Sequence, residues 1–181
     1  MGFDPDIHHR RSVRLRDYDY SGAGAYFVTI CVANRECLFG ETADGVMRMN
    51  DAGLAVAECW QAVPDHFPQV ELDEFVVMPN HLHGIIVIDR RDTACRAQVE
   101  ESFSRPISGS LPTIIRSFKS AATKRINQFR DNPGAPMWQR NYYERVIRDE
   151  QELDGIRQYI TGNPAQWVED KNHPARQSSA S

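Results

Sequence analysis

Two strand-like runs separated by a short break constrain the fold of this chain more than any other feature. Val70–Met78 carries Leu72, Phe75 and several valines, and His81–Ile88 ends in a run of apolar residues. Pro79 lies in the break, and proline cannot donate a hydrogen bond within a strand. A third segment, residues 25–32, is rich in β-branched and aromatic side chains. These segments predict a β-sheet at the centre of the fold.

Helical segments alternate with the strands. Asn50 or Asp51 is a suitable cap for the first helix and Asp149 for the last, and the middle helix has an apolar stripe at helical spacing. In chain order, the predicted elements are a strand at 25–32, a hairpin around 43–45, a helix at 52–67, strands at Val70–Met78 and His81–Ile88, a helix at Leu111–Phe129, a strand at 137–147 and a helix from 150 to about 160.

This order contains two β-α-β units placed end to end. It predicts an α+β fold of the ferredoxin-like sandwich type, in which a central antiparallel four-stranded sheet carries helices on one face. The small hairpin is an insertion in that plan. We therefore predict a basic N-terminal arm at residues 1–20, one domain at 21–168 and a disordered tail at 169–181.

The bulk composition predicts a soluble cytoplasmic protein that has no membrane partner. The chain has 181 residues, of which 41% are hydrophobic and 25% charged, and it contains no apolar run long enough to span a bilayer. No apolar segment of a secretory signal follows the N-terminus. The four cysteines form no Cys-x-x-Cys pair, which favours buried thiols in a reducing compartment.

Positive charge is concentrated in two segments although the net charge is −4. Residues 105–148 contain nine Arg and Lys residues and two acidic residues, a local net charge of +7. A second basic cluster lies within residues 8–16. Because charges act over a Debye length of about 8–10 Å, a basic face can bind phosphates on an acidic protein. Solvated helix faces would have the same composition, so charge alone leaves both interpretations open.

The histidine pair His81 and His83 is a candidate metal site. Side chains alternate between the faces of a strand, so both imidazoles project to one face while Leu82 projects to the other. Two imidazoles on one face can bind a single ion, but a third ligand and open positions are also needed. A His-x-His pattern alone is weak evidence, because two surface histidines produce it as well.

Tyr159 and Asn163 are spaced to lie on one face of the last predicted helix. They can therefore present a phenolic oxygen and an amide oxygen to the same point. In the alternative interpretation, Tyr159 packs on the sheet and Asn163 ends the helix before Pro164. Without the histidines, that structural interpretation is the better one.

Several motifs in fixed order resemble one family. They are MPNHLHGIIVI, SFKSAATKRIN, MWQRNYYERVIRDEQEL and QYITGNP. Together they resemble the REP-associated tyrosine transposases, which belong to the histidine-hydrophobic-histidine single-strand DNA endonucleases and are related to the single-tyrosine insertion-sequence transposases. The resemblance covers roughly residues 10–167, and it implies that residues 21–168 form an endonuclease domain of this kind.

The resemblance assigns a role to each residue of the site. His81 and His83 match the paired metal ligands, Tyr159 matches the nucleophile, and Asn163 matches a polar group that helps to hold the ion, Mg²⁺ or Mn²⁺. Thr161-Gly162 is smaller than the residues the family often has before the asparagine, which leaves the exact position of Asn163 open.

Two neighbouring tyrosines, Tyr142 and Tyr143, compete for the nucleophile's role. The family commonly has aromatic residues at this point of the fourth strand, where one of them would line the site or stack on a base. Neither is followed by Asn or Gln four residues later. We therefore expect Tyr159 to be the nucleophile and Tyr142 and Tyr143 to contact DNA.

The expected activity is cleavage and rejoining of single-stranded DNA through a covalent 5′-phosphotyrosine. The family acts on palindromic repeats that fold into hairpins, so hairpin-bearing single-stranded DNA is the expected partner. The basic residues expected to contact phosphates are Arg10, Arg11, Arg14, Arg16, Arg116, Lys119, Lys124 and Arg125.

Three other functions compete with this prediction. The first is a catalytically silent module of the same fold that binds hairpin DNA. The second is a hydrolytic metalloenzyme that acts on small phosphoesters, but it needs more carboxylates and histidines than the sequence places together. The third is a purely structural protein. The related insertion-sequence transposases pair, and a monomer is the alternative for the repeat-associated branch, so the resemblance leaves a homodimer and a monomer open.

Overall fold

The structure, a computed structural model, describes residues 23–89, 109–130 and 134–176. Its strands are β1 (Gly24–Cys31), β2 (Gly40–Ala43), β3 (Val46–Met49), β4 (Val70–Met78), β5 (His81–Ile88) and β6 (Tyr143–Ile147). Its α-helices are α1 (Asp51–Gln61), α2 (Val63–His66), α3 (Leu111–Phe129) and α4 (Glu150–Gly162). Short 3₁₀ turns lie at Ala33–Arg35, Pro164–Glu169 and Pro174–Arg176.

A four-stranded sheet in the order β4-β5-β1-β6 forms the centre of the molecule. All neighbouring strands are antiparallel. Strands β2 and β3 form a separate hairpin. The prediction of an α+β fold with a central four-stranded antiparallel sheet and a hairpin insertion is confirmed.

One face of the sheet packs against α1 and α3. Tyr26, Val28 and Ile30 of β1 and Leu82 of β5 are buried in this core. The helices contribute buried apolar side chains to it, among them Trp60 of α1 and Ile114, Phe118 and Ile126 of α3. A β-carbon on Gly84 would lie 2.5 Å from the ring of Trp60 in α1, so only glycine allows the helix to approach β5 this closely.

The opposite face of the sheet packs against α4. Phe27, Ile85 and Ile147 form a smaller cluster there with Ile156 and Ile160 of that helix. The expectation that the helices lie on one face is therefore wrong for α4. The physical reason is that the other face of β1 and β5 also carries apolar residues, which α4 removes from water.

The caps of the helices agree with the sequence, but some element bounds differ. The Asn50 side chain accepts a hydrogen bond from the backbone of Gly53, and the Asp149 side chain accepts one from Glu152. The helix predicted at 52–67 is divided at Ala62, since Pro64 cannot continue the hydrogen bonds of α1. The strand predicted at 137–147 is shorter, and its first part makes only the isolated Val32–Trp138 bridge.

The predicted disordered tail at 169–181 is wrong for residues 169–176. This part of the chain makes turns in which Asp170 and Asn172 are buried. Contacts of these turns with the sheet, and not their local composition, order them. Residues 177–181, the predicted arm at 1–20 with Arg10, Arg11, Arg14 and Arg16, and the predicted loop at 90–109 up to residue 108 lie outside the described residues.

The structure bears on two expectations from composition, the burial of the thiols and the absence of a membrane-spanning segment. Cys37 is exposed, and Cys31 and Cys59 are partly buried, so the expectation of buried thiols is wrong for Cys37. Within the described residues, no helix has both the length and the apolar character that crossing a membrane requires.

Candidate functional site

His81 and His83 lie side by side on the face of β5 that packs against α4. Both side chains are fully buried, and their Nε2 atoms are 3.0 Å apart. Strand geometry is the cause, since residues two apart share a face. The two nitrogens point to one place, as the sequence predicts.

Each histidine is held through its second ring nitrogen. His81 Nδ1 lies 2.8 Å from Asn80 Oδ1, and His83 Nδ1 lies 2.9 Å from Thr29 Oγ1. Burial lowers the pKa of His81 from 6.5 to about 4, although the Asp170 carboxylate opposes this change. Burial, and then the proximity of His81, lowers the pKa of His83 well below its ordinary value. Both imidazoles are therefore neutral at neutral pH, which is the form that binds a metal ion.

Asp170 joins the histidines, and sequence reasoning missed it. Its Oδ2 lies 3.9 Å from His81 Nε2, and its side chain is buried. One ligand atom from each of His81, His83 and Asp170 lies within 4.8 Å of the others, so these three side chains could hold a metal ion. One residue in the sequence could have indicated that the segment around Asp170 packs against the domain. This is Trp167, a large apolar residue beyond the last predicted helix, whose ring lies 5.9 Å from that of His81.

Tyr159 in α4 faces the histidines. Its hydroxyl lies 3.4 Å from His83 Nε2, and the two rings are 5.2 Å apart. The side chain is 40% exposed, so a substrate can reach it. Burial of the ring and then the Asp170 carboxylate raise the pKa of the phenol, while a hydrogen bond with Asn163 lowers it.

Asn163 lies one turn beyond Tyr159, where it is the C-cap residue of α4. Its side chain is buried, and among the described residues its Oδ1 has no hydrogen-bond partner. A buried amide oxygen of this kind is costly unless something else binds it. Neutral imidazoles, a carboxylate and a spare amide oxygen are ligands that suit a divalent cation such as Mg²⁺ or Mn²⁺, so the residues present fit the implied metal.

The ion pair between Arg157 and Asp73 fixes α4 over the sheet. Arg157 donates from Nε and Nη2 to the two carboxylate oxygens at 2.8 and 2.6 Å. Asp73 lies where the β4–β5 register shifts between Leu72 and Phe75. The hydrogen bond from Arg157 lowers the pKa of Asp73. This two-point contact anchors the helix that carries Tyr159 to the strand next to the histidines.

The competing tyrosines occupy different positions. Tyr143 shares the α4 face, where its ring packs edge-on to Phe27 at 6.2 Å and lies 5.3 Å from the Lys171 ammonium. Tyr142 lies 5.7 Å from the ammonium of Lys119, a residue of α3. The structure thus places Tyr143 beside the histidine site and Tyr142 next to α3.

The basic residues of α3 are brought together on the other side of the sheet from the histidines. Arg116, Lys119, Lys124 and Arg140 line a groove of about 830 Å³ whose walls include Trp138. The Lys119 ammonium donates hydrogen bonds to two backbone carbonyls, and burial lowers its pKa to about 8. A fourth predicted contact, Arg125, pairs with Glu58. The groove is cationic, and the structure does not bring its residues to the histidines.

Comparisons with known proteins agree with this architecture. No protein-family model matches the chain. An uncharacterized protein of Haemophilus influenzae is 43% identical over 174 residues, which cover 93% of this chain and 96% of that protein. A second Haemophilus influenzae protein, named "Putative REP-associated tyrosine transposase", is 26% identical over 149 residues, which cover 81% of this chain and 73% of that protein.

A solved structure shares the fold. It is that of a REP-associated tyrosine transposase bound to a REP hairpin, and it matches with a TM-score of 0.58 and 20% sequence identity. The match covers 87% of this chain and 76% of that chain. The resemblance that the motifs indicated is confirmed, and the fold is transposase-like.

Proposed function

We propose that this chain, which belongs to the same family as the 43% identical uncharacterized protein of Haemophilus influenzae, cleaves and rejoins single-stranded DNA with Tyr159 as the nucleophile. One observation supports this proposal above all others. The Tyr159 hydroxyl, which substrate can reach, lies 3.4 Å from a buried His81-His83-Asp170 group. A nucleophile beside such a group suits phosphoryl transfer better than hydrolysis by water, which would leave Tyr159 without a role.

His81, His83 and Asp170 would hold the metal ion, and the unpartnered amide oxygen of Asn163 is a fourth candidate ligand. Bound there, Mg²⁺ or Mn²⁺ supplies a Lewis acid for a non-bridging oxygen of the scissile phosphate. The strand fixes the positions of the two imidazoles, while α4 and the segment after it supply the other groups. The complete site therefore needs both halves of the chain.

The proposed reaction is a transesterification. The Tyr159 oxygen attacks phosphorus as the bond from phosphorus to the 3′-oxygen breaks, so the 5′-phosphate becomes attached to the tyrosine. The phenol loses its proton, and the departing 3′-oxygen gains one. Because the new linkage is again a phosphodiester, a 3′-hydroxyl can attack it, rejoin the strand and release the phenol without another energy source.

Hairpin-bearing single-stranded DNA is the proposed partner. The transposase whose solved structure has the same fold is bound to a REP hairpin. In this chain, the cationic groove on α3 is a surface that could bind the phosphates of such DNA. Arg116, Lys124 and Arg140 are the exposed cations that line this groove. Phosphate contacts of the basic cluster at residues 10–16, contacts of Tyr142 and Tyr143 with DNA and a cytoplasmic location are also predictions. A homodimer and a monomer are alternatives, which light scattering of the purified protein distinguishes.

A labelled hairpin oligonucleotide with a single-stranded flank tests the proposed function. With Mn²⁺, we expect an adduct that survives denaturation, and peptide mapping should place it on Tyr159. Tyr159→Phe should abolish the adduct, whereas Tyr143→Phe, a second exposed tyrosine on the same face, should still form it. An adduct in Tyr159→Phe would overturn the assignment, and hairpin binding without any adduct in the wild type would identify a silent binding module.

A further inference from the structure

The side chain of Asn80 connects three parts of the site. Asn80 is fully buried in the turn between β4 and β5. Its Nδ2 donates to the backbone carbonyls of Arg35 and Asn172, each at 2.9 Å. Its Oδ1 lies 2.8 Å from His81 Nδ1. One amide thus contacts the chain after β1, the segment 170–172 and a predicted metal ligand.

These contacts determine which ring nitrogen of His81 carries the hydrogen. A carbonyl oxygen can only accept a hydrogen bond, so the two carbonyls fix the NH₂ group of Asn80 on their side. Its Oδ1 must then face His81, and because this oxygen also only accepts, His81 Nδ1 is the donor. His81 Nε2 is left with a free lone pair directed toward His83 and Asp170.

The partner of His83 imposes no such choice. The Thr29 hydroxyl can either donate or accept a hydrogen bond. Because His81 Nε2 has no hydrogen, the 3.0 Å contact between the two Nε2 atoms needs a hydrogen on His83. Coordination of His83 through Nε2 requires that hydrogen to move to Nδ1, where Thr29 Oγ1 can accept it. His81 is therefore fixed in the binding tautomer, whereas His83 can adapt.

The same amide holds the segment that carries Asp170. Asn172, whose carbonyl accepts from Asn80, donates its backbone N–H to Asp170 Oδ1 at 2.6 Å. Arg35 supports this segment by donating to the Lys171 carbonyl at 2.7 Å. Loss of the Asn80 side chain would therefore affect two candidate ligands at once, one of which lies 90 residues further along the chain.

We propose that Asn80 is a positioning residue that fixes His81 in the Nδ1–H tautomer and holds Asp170 beside it. This inference rests on the proposed function, because it assumes that His81, His83 and Asp170 bind a divalent cation. Residues that support metal ligands in this way typically change metal affinity by about 10–100-fold when they are replaced.

Two substitutions separate the two roles of the amide. Asn80→Ala removes both. Asn80→Asp keeps an acceptor for His81 Nδ1–H but cannot donate to the Arg35 and Asn172 carbonyls. Asn127→Asp is the matched control, since Asn127 is also buried and donates to a loop carbonyl, that of Ala135, but belongs to α3.

The measurements use the full chain without DNA. Nitrogen-15 NMR of the imidazoles reports the tautomers, hydrogen exchange reports the order of segment 170–172, and calorimetric titration with Mn²⁺ reports metal affinity. In the wild type we expect His81 to be wholly in the Nδ1–H form. Asn80→Ala should mix the tautomers, speed exchange in 170–172 and weaken Mn²⁺ binding by about 10–100-fold. Asn80→Asp should speed exchange while retaining the tautomer.

Clear results would overturn the proposal. They are a wild-type His81 in the Nε2–H form, or a folded Asn80→Ala protein with unchanged tautomer and Mn²⁺ affinity. If Asn80→Ala does not fold, an unchanged rate of hydrogen exchange in segment 170–172 of Asn80→Asp would also overturn the proposal. A loss of Mn²⁺ affinity in Asn127→Asp that equals the loss in Asn80→Ala would also contradict it. A failure of the proposed function is distinguishable, because it would appear as absent adduct formation or absent Mn²⁺ binding in the wild type.

Discussion

The two faces of the central sheet are built from the same strands and have different tasks. Leu82 and His83 are neighbours in β5, both fully buried. Leu82 belongs to the large core with α1 and α3, while His83 lies between Thr29, Tyr159 and His81 under α4. Among the described residues, the core on the α3 face has 21 buried members and the cluster on the α4 face has five.

This difference shows where the fold obtains its stability. Burial of apolar side chains on the α3 face is the main favourable contribution. The α4 face instead buries groups that cost free energy unless they are paired, including His81, His83 and Asp170. The stable face allows the other to hold polar groups in positions that suit chemistry better than packing. Paired substitutions on the two faces test this separation.

The largest expected effects come from Leu82→Ala and His83→Leu. Leu82→Ala should lower the free energy of unfolding by about 2–5 kcal/mol, because it leaves a cavity in the core. His83→Leu keeps roughly the same volume and so leaves no comparable cavity. It removes a hydrogen-bond partner from Thr29 and His81, so it should lower that free energy by about 1–3 kcal/mol, less than Leu82→Ala does. It should weaken Mn²⁺ binding by more than about 100-fold, because loss of a ligand exceeds the loss of a supporting residue. Denaturant titration and calorimetry measure both.

The separation of the faces would be contradicted if Leu82→Ala and His83→Leu had equal effects on the free energy of unfolding and equal effects on Mn²⁺ affinity. If Leu82→Ala weakened Mn²⁺ binding as strongly as His83→Leu while still folded, the site would depend on the core packing directly. Mn²⁺ affinity of Leu82→Ala close to that of the wild type is the expected result.

The second prediction concerns pH. Both histidines have a lower pKa in the folded protein than the ordinary value of 6.5, and that of His81 falls to about 4. Below pH 6.5 the unfolded chain therefore binds protons that the folded protein does not, so the free energy of unfolding should fall as pH decreases toward 4. The slope should approach about 1.4 kcal/mol per pH unit for each histidine. Denaturant titrations between pH 7.5 and 4.5 measure it.

His83→Leu provides the control for this pH dependence. It removes one of the two histidines, so its curve should be shallower than that of the wild type over the same interval. Curves of identical slope would show that other groups cause the loss of stability in acid.

The third prediction concerns Asp170. Asp170→Asn keeps the shape of the side chain and an oxygen that can still bind the ion, but it removes the charge. Mn²⁺ affinity should therefore fall by about 10–100-fold, less than in His83→Leu, which removes the ligand atom altogether. The neighbouring acid Glu169 is exposed, and Glu169→Gln should leave the affinity unchanged. Calorimetric titration measures both variants. An unchanged affinity in Asp170→Asn would remove Asp170 from the proposed ligands.

The smallest expected effect is that of Lys124→Ala in the cationic groove. It should weaken hairpin binding by a few-fold and lower the slope of log affinity against log salt by about 1. Arg125→Ala should change the slope less, because Arg125 is paired with Glu58. Titrations at several salt concentrations measure the slopes. A larger effect of Arg125→Ala would place the DNA on the α1 side of the helix.

Local patterns in the sequence predicted two central strands and the long helix well. The predicted bounds of Val70–Met78, His81–Ile88 and Leu111–Phe129 agree with the structure. Apolar periodicity, Pro79 and helix caps are signals carried by residues close in the chain. The strand period alone also predicted that His81 and His83 share one face. The bounds of 137–147 were less accurate because contact with β1, rather than composition, determines how much of that segment is strand.

The sequence by itself determined the elements, the paired histidines and the Tyr159-Asn163 spacing, because each depends on the regular geometry of one strand or one helix. Only the tertiary structure decided that α4 lies opposite α1 and α3, that Tyr159 is 3.4 Å from His83, and that Asp170 joins the two histidines in a group that could hold a metal ion. Asp170 and His81 are 89 positions apart, so no local pattern relates them. Their proximity depends on buried contacts, among them the amide of Asn80, that form only when the whole chain has folded.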